Sequence, residues 1–370
     1  MGKFFLSFIL PIILFVAILG GSATYTMLEA FVLDREIAVE TIDRHPSATV
    51  KPEGENTSEN TPATDAPATD APATGDTPSE DVTTIAPSEP EPDPEPEVTY
   101  PIIGDLYYKD ENIEITITEE YYDNANGFPN KIFVVDLKLS SVEYLRTFVN
   151  TSSSGKVSKT TVRDMAEKNN AIFAINGDYF SYREKGLVLR DYSTVWYRTA
   201  RSRSDDDALC ILADGSFLLL NERELANSKK QIALENIPSD AYQIFSFGPH
   251  LIVDGEIAVT MKDEVDQSTT SNPRTAIGMV EPLHYKIVVA EGRLKEYDGR
   301  DGLTLYEMAD ILKKQGCTQA YNLDGGSSTT LYFNGQVLNR VTSSGERSVS
   351  DCIYISGVSY SQSVSGKENG

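Results

Sequence analysis

Residues 46–99 contain almost nothing that can pack, and this bounds what the rest of the chain can fold into. The segment holds the near-repeat Ala63-Thr64-Asp65-Ala66-Pro67 and Ala68-Thr69-Asp70-Ala71-Pro72, followed by a proline/glutamate alternation over 89–97. Such a composition buries too little apolar surface to offset the entropy of ordering the chain. Its prolines favour an extended polyproline II path at ~3.1 Å per residue, so the segment reaches at most on the order of 170 Å. It carries thirteen acidic residues against one lysine, a balance of −12 within the formal −24 of the whole chain. The charge on the remainder is therefore moderate, with no basic face for a nucleic-acid backbone. We read 46–99 as a disordered acidic Pro/Thr-rich linker.

At the amino terminus, Lys3 precedes an uncharged run from Phe4 to Leu28. That length suits a bilayer-spanning helix. The lysine on its short side predicts a cytoplasmic amino terminus and an exported remainder. Gly21-Ser22-Ala23 offers the alternative of a cleaved signal peptide, for which the apolar run is long. The expected layout is an anchor and juxtamembrane segment over 1–45, the linker over 46–99 and one domain over 100–370. The chain would then be a single-pass cell-membrane protein with its domain extracytoplasmic, or a secreted one after signal cleavage.

Within 100–370, X-Gly dipeptides separate short apolar runs, the signature of β-hairpins. Asp214-Gly215 lies between Ala208–Leu212 and Phe217–Leu220, Asp254-Gly255 between His250–Val253 and Glu256–Val259, and Asn334-Gly335 between Leu331–Phe333 and Gln336–Leu338. Val288–Ala290 ends at Glu291-Gly292. Two helices interrupt this pattern. Thr304 with Glu307 forms a capping box, and Leu305, Met308, Ala309 and Leu312 then share one helical face, with Gly316 closing the helix. Thr161 and Asp164 repeat the box ahead of Val162, Met165 and Ala166. Each helix is followed by a short buried strand, Ala171–Ile175 or Gln319–Tyr321. Each strand then enters a polar, glycine-bearing turn, Asn176-Gly177-Asp178 or Asn322-Leu323-Asp324-Gly325-Gly326. The expected fold is α+β, a single β-rich mixed domain with two similar helix–strand–loop units and several hairpins. Both turns are expected beyond strand ends at one edge of a sheet, where α/β proteins commonly bind ligands.

The second turn continues into Ser327 and Ser328. Glycines admit a ligand close to the backbone, and hydroxyls with successive amides can cradle a phosphate. An ordinary Asp-Gly turn is the competing reading. Arg274 precedes a strand, where its guanidinium could clamp a phosphate. Glu346-Arg347 forms a further acidic/basic pair, and His250 could donate to a substrate. P-loop, HExxH and SxxK patterns are absent, as is a Ser/His/Asp order. Cys210, Cys317 and Cys352 form neither CxxC nor a Cys/His cluster, so they are expected as small core residues. The acidic residues of the loops are not spaced like a cation cage. Neither a metal nor a cofactor is expected.

Five stretches taken in order give a sharper reading. Ala171–Phe180 (AIFAINGDYF), Ser246–Gly255 (SFGPHLIVDG), Pro273–Gly278 (PRTAIG), Tyr321–Thr329 (YNLDGGSST) and Glu346-Arg347 resemble the phosphodiester glycosidase domain family. The resemblance runs from about Ile113 to Ile355 and is nearest to the family's bacterial, exopolysaccharide-related members. It implies hydrolysis of a sugar-1-phosphodiester, the sugar N-acetylglucosamine-like and its carrier a cell-surface glycan. It also implies site positions: Asp324, Arg274, Asp178 and Glu346 as catalytic candidates, and Asn176, Gly177, Gly248, His250, Gly325, Gly326, Ser327, Ser328 and Arg347 around the substrate. Ser327 stands where the family often has a third glycine. In this reading Asp324 is base or nucleophile and Glu346 the reserve carboxylate. Asn176 and Asp178 hold sugar hydroxyls, while Arg274 and the Gly325 and Gly326 amides stabilise departing phosphate. A non-catalytic glycan-binding module and a glycosidase for ordinary glycosidic bonds are the alternatives.

Overall fold

The computed structural model describes residues 40–41, 101–183, 185–201, 207–263, 271–294, 296, 301–342 and 345–357. The run 4–28 and the linker 46–99 lie outside them. Among the described residues no helix is long and apolar enough to cross a membrane.

Three antiparallel sheets build the domain. The largest has nine strands and centres on Pro129–Leu139, His284–Ala290, Arg274–Glu281 and Gln319–Asn322, which neighbour one another in that order. A five-stranded sheet carries Ala171–Asn176 between Leu331–Phe333 and Asp351–Ser356. A six-stranded sheet carries Gly186–Arg190, Ala241–Phe245 and Asp207–Leu212, with Glu40–Thr41 at one edge against Thr194 and Val195. The three hairpins expected from Asp-Gly and Asn-Gly all form, with Leu209 opposite Leu219, Ile252 opposite Ile257 and Tyr332 opposite Val337.

Both predicted capping boxes are present. Helix α1 (Val162–Lys168) starts on Thr161 and Asp164, and α2 (Leu305–Lys314) on Thr304 and Glu307. Each box satisfies two of the amides a helix start leaves without intrahelical partners. Leu305, Met308, Ala309 and Leu312 of α2 are buried, and the helix packs on the nine-stranded sheet with Ile277 and Ile287 in the same cluster. Met165 and Ala166 of α1 pack with Ala174 and Cys352 on the five-stranded sheet. Each such large apolar side chain taken out of water contributes about 1.5–3 kcal/mol. The three cysteines are buried, as small core residues should be.

One expectation changes here. The two helix–strand–loop units do not share a sheet edge, because Ala171–Asn176 belongs to the five-stranded sheet and Gln319–Asn322 to the nine-stranded one. Their turns nevertheless meet. The Asn176 side-chain amide donates to the Asp324 carbonyl at 2.6 Å, and the Asp324 amide donates to the Gly177 carbonyl at 3.3 Å. The site is thus a seam between sheets, and the pairing requirement of each sheet brings the two turns together.

Candidate functional site

At this seam lies a cleft of ≈ 170 Å³ lined by Asp324, Gly325, Gly326, Ser327, Arg274, Arg293, Arg347, Asn272, Tyr179 and Phe247. Asp324 is only 7% exposed. Burial pushes its carboxyl up to about 6, against the Ser328 hydroxyl, the Gly325 amide and the charges of Arg347 and Arg183. Its Oδ1 accepts from the Gly325 amide at 2.8 Å. Arg274 opens the strand Arg274–Glu281 and is 4% exposed, with Nε donating to the Leu303 carbonyl at 3.0 Å. Burial, then the neighbouring Arg293 charge, lowers it to about 10, with Glu307 opposing. Arg274 is therefore charged at neutral pH. Arg293 donates to the Asn272 side-chain Oδ1 and lies beside Gly326. Arg347 lies over the Tyr182 ring at 4.8 Å, and Tyr182 in turn stacks on Tyr179 at 4.2 Å. Three guanidiniums thus face one carboxylate in a partly enclosed space.

The loop can take this shape only with glycine at its centre. A Cβ on Gly325 would lie 2.7 Å from the Pro273 carbonyl, and Gly326 adopts φ +60°. The structure corrects the role given to their amides. The Gly325 amide serves Asp324 itself, and the Gly326 amide donates to the Pro273 carbonyl at 2.8 Å. Neither amide is left free for a ligand.

Seven expected site residues do not line the cleft. Asn176 is fully buried, with its amide on the Asp324 and Gly177 carbonyls and its oxygen accepting from the Thr275 hydroxyl at 2.8 Å and the Thr330 amide at 3.2 Å. It has no capacity left for a sugar hydroxyl and instead straps the two turns together. Asp178 is also enclosed. Its Oδ2 lies 3.1 Å from Arg190 and accepts from the Ser246 amide at 2.9 Å. Arg190 also contacts Asp351 at 2.8 Å, so two carboxylates share one guanidinium out of contact with water. Burial, then repulsion from Asp178, raises the Asp351 carboxyl well above the usual range. Gly177 packs against this cluster so closely that a Cβ would meet the Asp351 carboxylate at 2.4 Å.

Glu346 accepts from the Arg163 amide at 3.0 Å and so serves the first turn of α1. His250 sits beside Asp207, with Nε2 at 3.1 Å from the Ala208 carbonyl. Gly248 pairs with Asn322 through its amide and its carbonyl. Ser328 is buried behind the cleft wall, 3.5 Å from Arg347. The family resemblance made these residues candidates, but most of their partners come from distant parts of the chain.

Sequence reasoning missed Arg293, Tyr179, Phe247 and Asn272 in the cleft, and Arg190 with Asp351 beneath it. Arg190 had a usable signal, a charge ending the otherwise apolar run Gly186–Arg190, all of it buried. Arg293 had none beyond its place after Glu291-Gly292. Among the described residues, no group of three or more His, Cys, Asp or Glu side chains is arranged to hold a metal ion.

Comparison with known proteins bears on the same region. A family model described as phosphodiester glycosidase matches residues 169–356. The SPbeta prophage-derived uncharacterized protein YomE of Bacillus subtilis (strain 168) is 27% identical over 210 residues, covering 55% of this chain and 30% of that protein. The bovine (Bos taurus) N-acetylglucosamine-1-phosphodiester alpha-N-acetylglucosaminidase is 26% identical over 188 residues, covering 48% of this chain and 34% of that enzyme. The chain therefore spans about a third of the length of the curated relatives it matches. The zebrafish N-acetylglucosamine-1-phosphodiester alpha-N-acetylglucosaminidase catalytic domain, solved auto-inhibited by its pro-peptide, superposes with a TM-score of 0.50 at 18% identity over 67% of this chain and 84% of that one. At that identity the likeness is one of fold.

Proposed function

Because the chain belongs to the phosphodiester glycosidase family, we propose that it is an extracytoplasmic hydrolase releasing an N-acetylglucosamine-like sugar from a sugar-1-phosphodiester on a cell-surface glycan. The observation that carries the reading is the buried Asp324 facing Arg274, Arg293 and Arg347 in one cleft. Three cations against one anion suit a phosphate better than a neutral leaving group. Ordinary glycosidases use two carboxylates flanking the scissile bond. Here the carboxylate among the cleft-lining residues is Asp324, with Asp178 and Glu346 engaged elsewhere.

A single carboxylate is enough for this leaving group. As the C1–O bond breaks, the electron pair goes to a phosphate monoester whose second pKa is about 6, so little protonation is needed. The guanidiniums, fixed in place beforehand, stabilise the charge as it appears. Asp324, mostly ionised at neutral pH with its carboxyl at about 6, acts as base toward water or as nucleophile at C1. Tyr179 and Phe247 supply the apolar wall. The uncharged run 4–28 supports anchoring of this domain outside a membrane.

The test is release of free N-acetylglucosamine from UDP-N-acetylglucosamine or a simpler GlcNAc-1-phosphodiester by the full chain. Asp324→Asn is expected to lower kcat by about 100-fold or more, the size of a lost general base. Arg274→Ala is expected to cost about 100-fold as well, on the scale of a lost transition-state donor. A folded Asp324→Asn protein with full turnover overturns the assignment.

A further inference from the structure

A second cleft, of ≈ 210 Å³, is lined by Tyr121, Asn130, Lys131, Glu291, Asp301 and Arg340, with Pro129 and Leu294. It shares a four-residue stretch with the first: Glu291 and Leu294 face this cleft, whereas Arg293 faces the other. Arg293 follows Glu291 by two positions, a span of at most about 7 Å. One ligand can therefore reach both clefts through adjacent units.

The polar groups here are divided by depth. Lys131 bonds Glu119 at 2.8 Å and Arg340 bonds Glu296 at 2.6 Å, so the cations are committed to carboxylates outside the cleft lining. The buried carboxylates have no such partner. Glu291, 4% exposed, accepts from the Arg340 backbone amide at 2.6 Å. Asp301, 2% exposed, accepts from the Leu294 amide at 2.9 Å through Oδ2, while its Oδ1 has no hydrogen-bond partner. A buried carboxylate oxygen left without a donor is costly, and such groups in native structures call for a partner. Tyr121, 74% exposed, presents an aromatic face at the wall.

We propose that this cleft is a subsite for a neutral sugar ring adjoining the phosphate-bearing unit, its hydroxyls donating to Asp301 and Glu291 and its apolar face lying on Tyr121. This rests on the glycosidase reading and narrows its substrate to a glycan of at least two units. Hydroxyls suit the lining because each can donate inward to a carboxylate. A divalent cation suits it less, since among the described residues no third carboxylate or other ligating side chain joins these two, and such ions take six or more oxygen ligands. The volume, below the about 300–1,000 Å³ of drug-sized pockets, fits one ring.

The test uses the full chain with chitobiose as the binding probe and UDP-N-acetylglucosamine as the turnover probe. Chitobiose is expected to bind the wild type and to weaken about fivefold in Tyr121→Ala, the worth of one aromatic contact. It should weaken about tenfold in Asp301→Asn, where a charged acceptor is lost. Tyr121 is exposed, so its variant keeps the test decisive should Asp301→Asn fail to fold. Chitobiose affinity unchanged in Tyr121→Ala overturns the proposal, as does absence of binding to the wild type. A calcium-induced rise in Tm that Asp301→Asn abolishes, with no sugar bound, overturns it in favour of a cation site. Tyr121-dependent binding without sugar release from the nucleotide sugar upholds the subsite and removes the glycosidase reading. Release without binding does the reverse.

Discussion

The turns after Asn176 and Asn322 share a local pattern, a short buried strand running into asparagine, glycine and aspartate, yet their carboxylates end in opposite situations. Asp178 is enclosed by Arg190, the Ser246 amide and the neighbouring Asp351. Asp324 faces three guanidiniums across a cleft. The first turn uses its hydrogen bonds to hold the second, through Asn176 and the Gly177 carbonyl. A repeated motif here supplies one scaffold and one cleft edge. A buried ion cluster rigidifies only if its partners are complete, whereas a reactive group must retain unfulfilled interactions for its substrate.

Replacing the shared cation tests the scaffold side most severely. Arg190→Met leaves Asp178 and Asp351 buried without a counter-ion and is expected to cost about 3–5 kcal/mol, measured by urea unfolding of the full chain. An unfolding free energy within error of the wild type would mean that the cluster is not a structural support.

The reactive side should respond with the opposite sign. The folded-state carboxyl of Asp324, at about 6, lies above its ordinary value of 3.8, so the native state holds a proton that the unfolded chain releases. Its contribution is full below about pH 4 and is lost as pH rises through about 6. At pH 7 that loss is on the order of 3 kcal/mol, and Asp324→Asn should recover most of it while abolishing turnover. The same variant should leave stability near pH 3 unchanged. In the wild type, kcat is expected to rise with pH through about 6 as the carboxylate forms.

Gly177→Ala probes the link between the two turns. The added Cβ would press on the Asp351 carboxylate, at a cost of about 1–3 kcal/mol. Turnover should fall further than stability alone explains, because the Asp324 loop hangs from Gly177. The smallest effect is expected from Glu346→Ala. Removing the acceptor at the start of α1 should cost about 0.3–1 kcal/mol and leave kcat within about twofold. A hundredfold loss of kcat would restore Glu346 as a catalytic candidate.

Legibility in the sequence followed the range of the interactions. The hairpins at Asp214-Gly215, Asp254-Gly255 and Asn334-Gly335 depend on turn residues and on alternation within a few positions. The capping boxes at Thr161 and Thr304 depend on a partner three residues away. Asp324, Arg274 and Arg347 were visible because the motifs around them are compact, and all three reach the cleft. Asn176, Asp178, Gly248, His250 and Glu346 sit in or near equally good motifs, and nothing local distinguishes a strap or an ion cluster from a ligand contact.

The sequence by itself determined the β-rich character of the domain, the starts of its two main helices, the glycine loop at 325–326 and the family. Each follows from backbone preference, side-chain period or short motifs. Only the tertiary structure decided which carboxylate lines the cleft. Arg190 meets Asp351 across 161 residues and Asn176 meets Asp324 across 148. Burial and counter-charge, which set what a carboxylate can do, are created by such contacts between distant strands and are not encoded in any one stretch of chain.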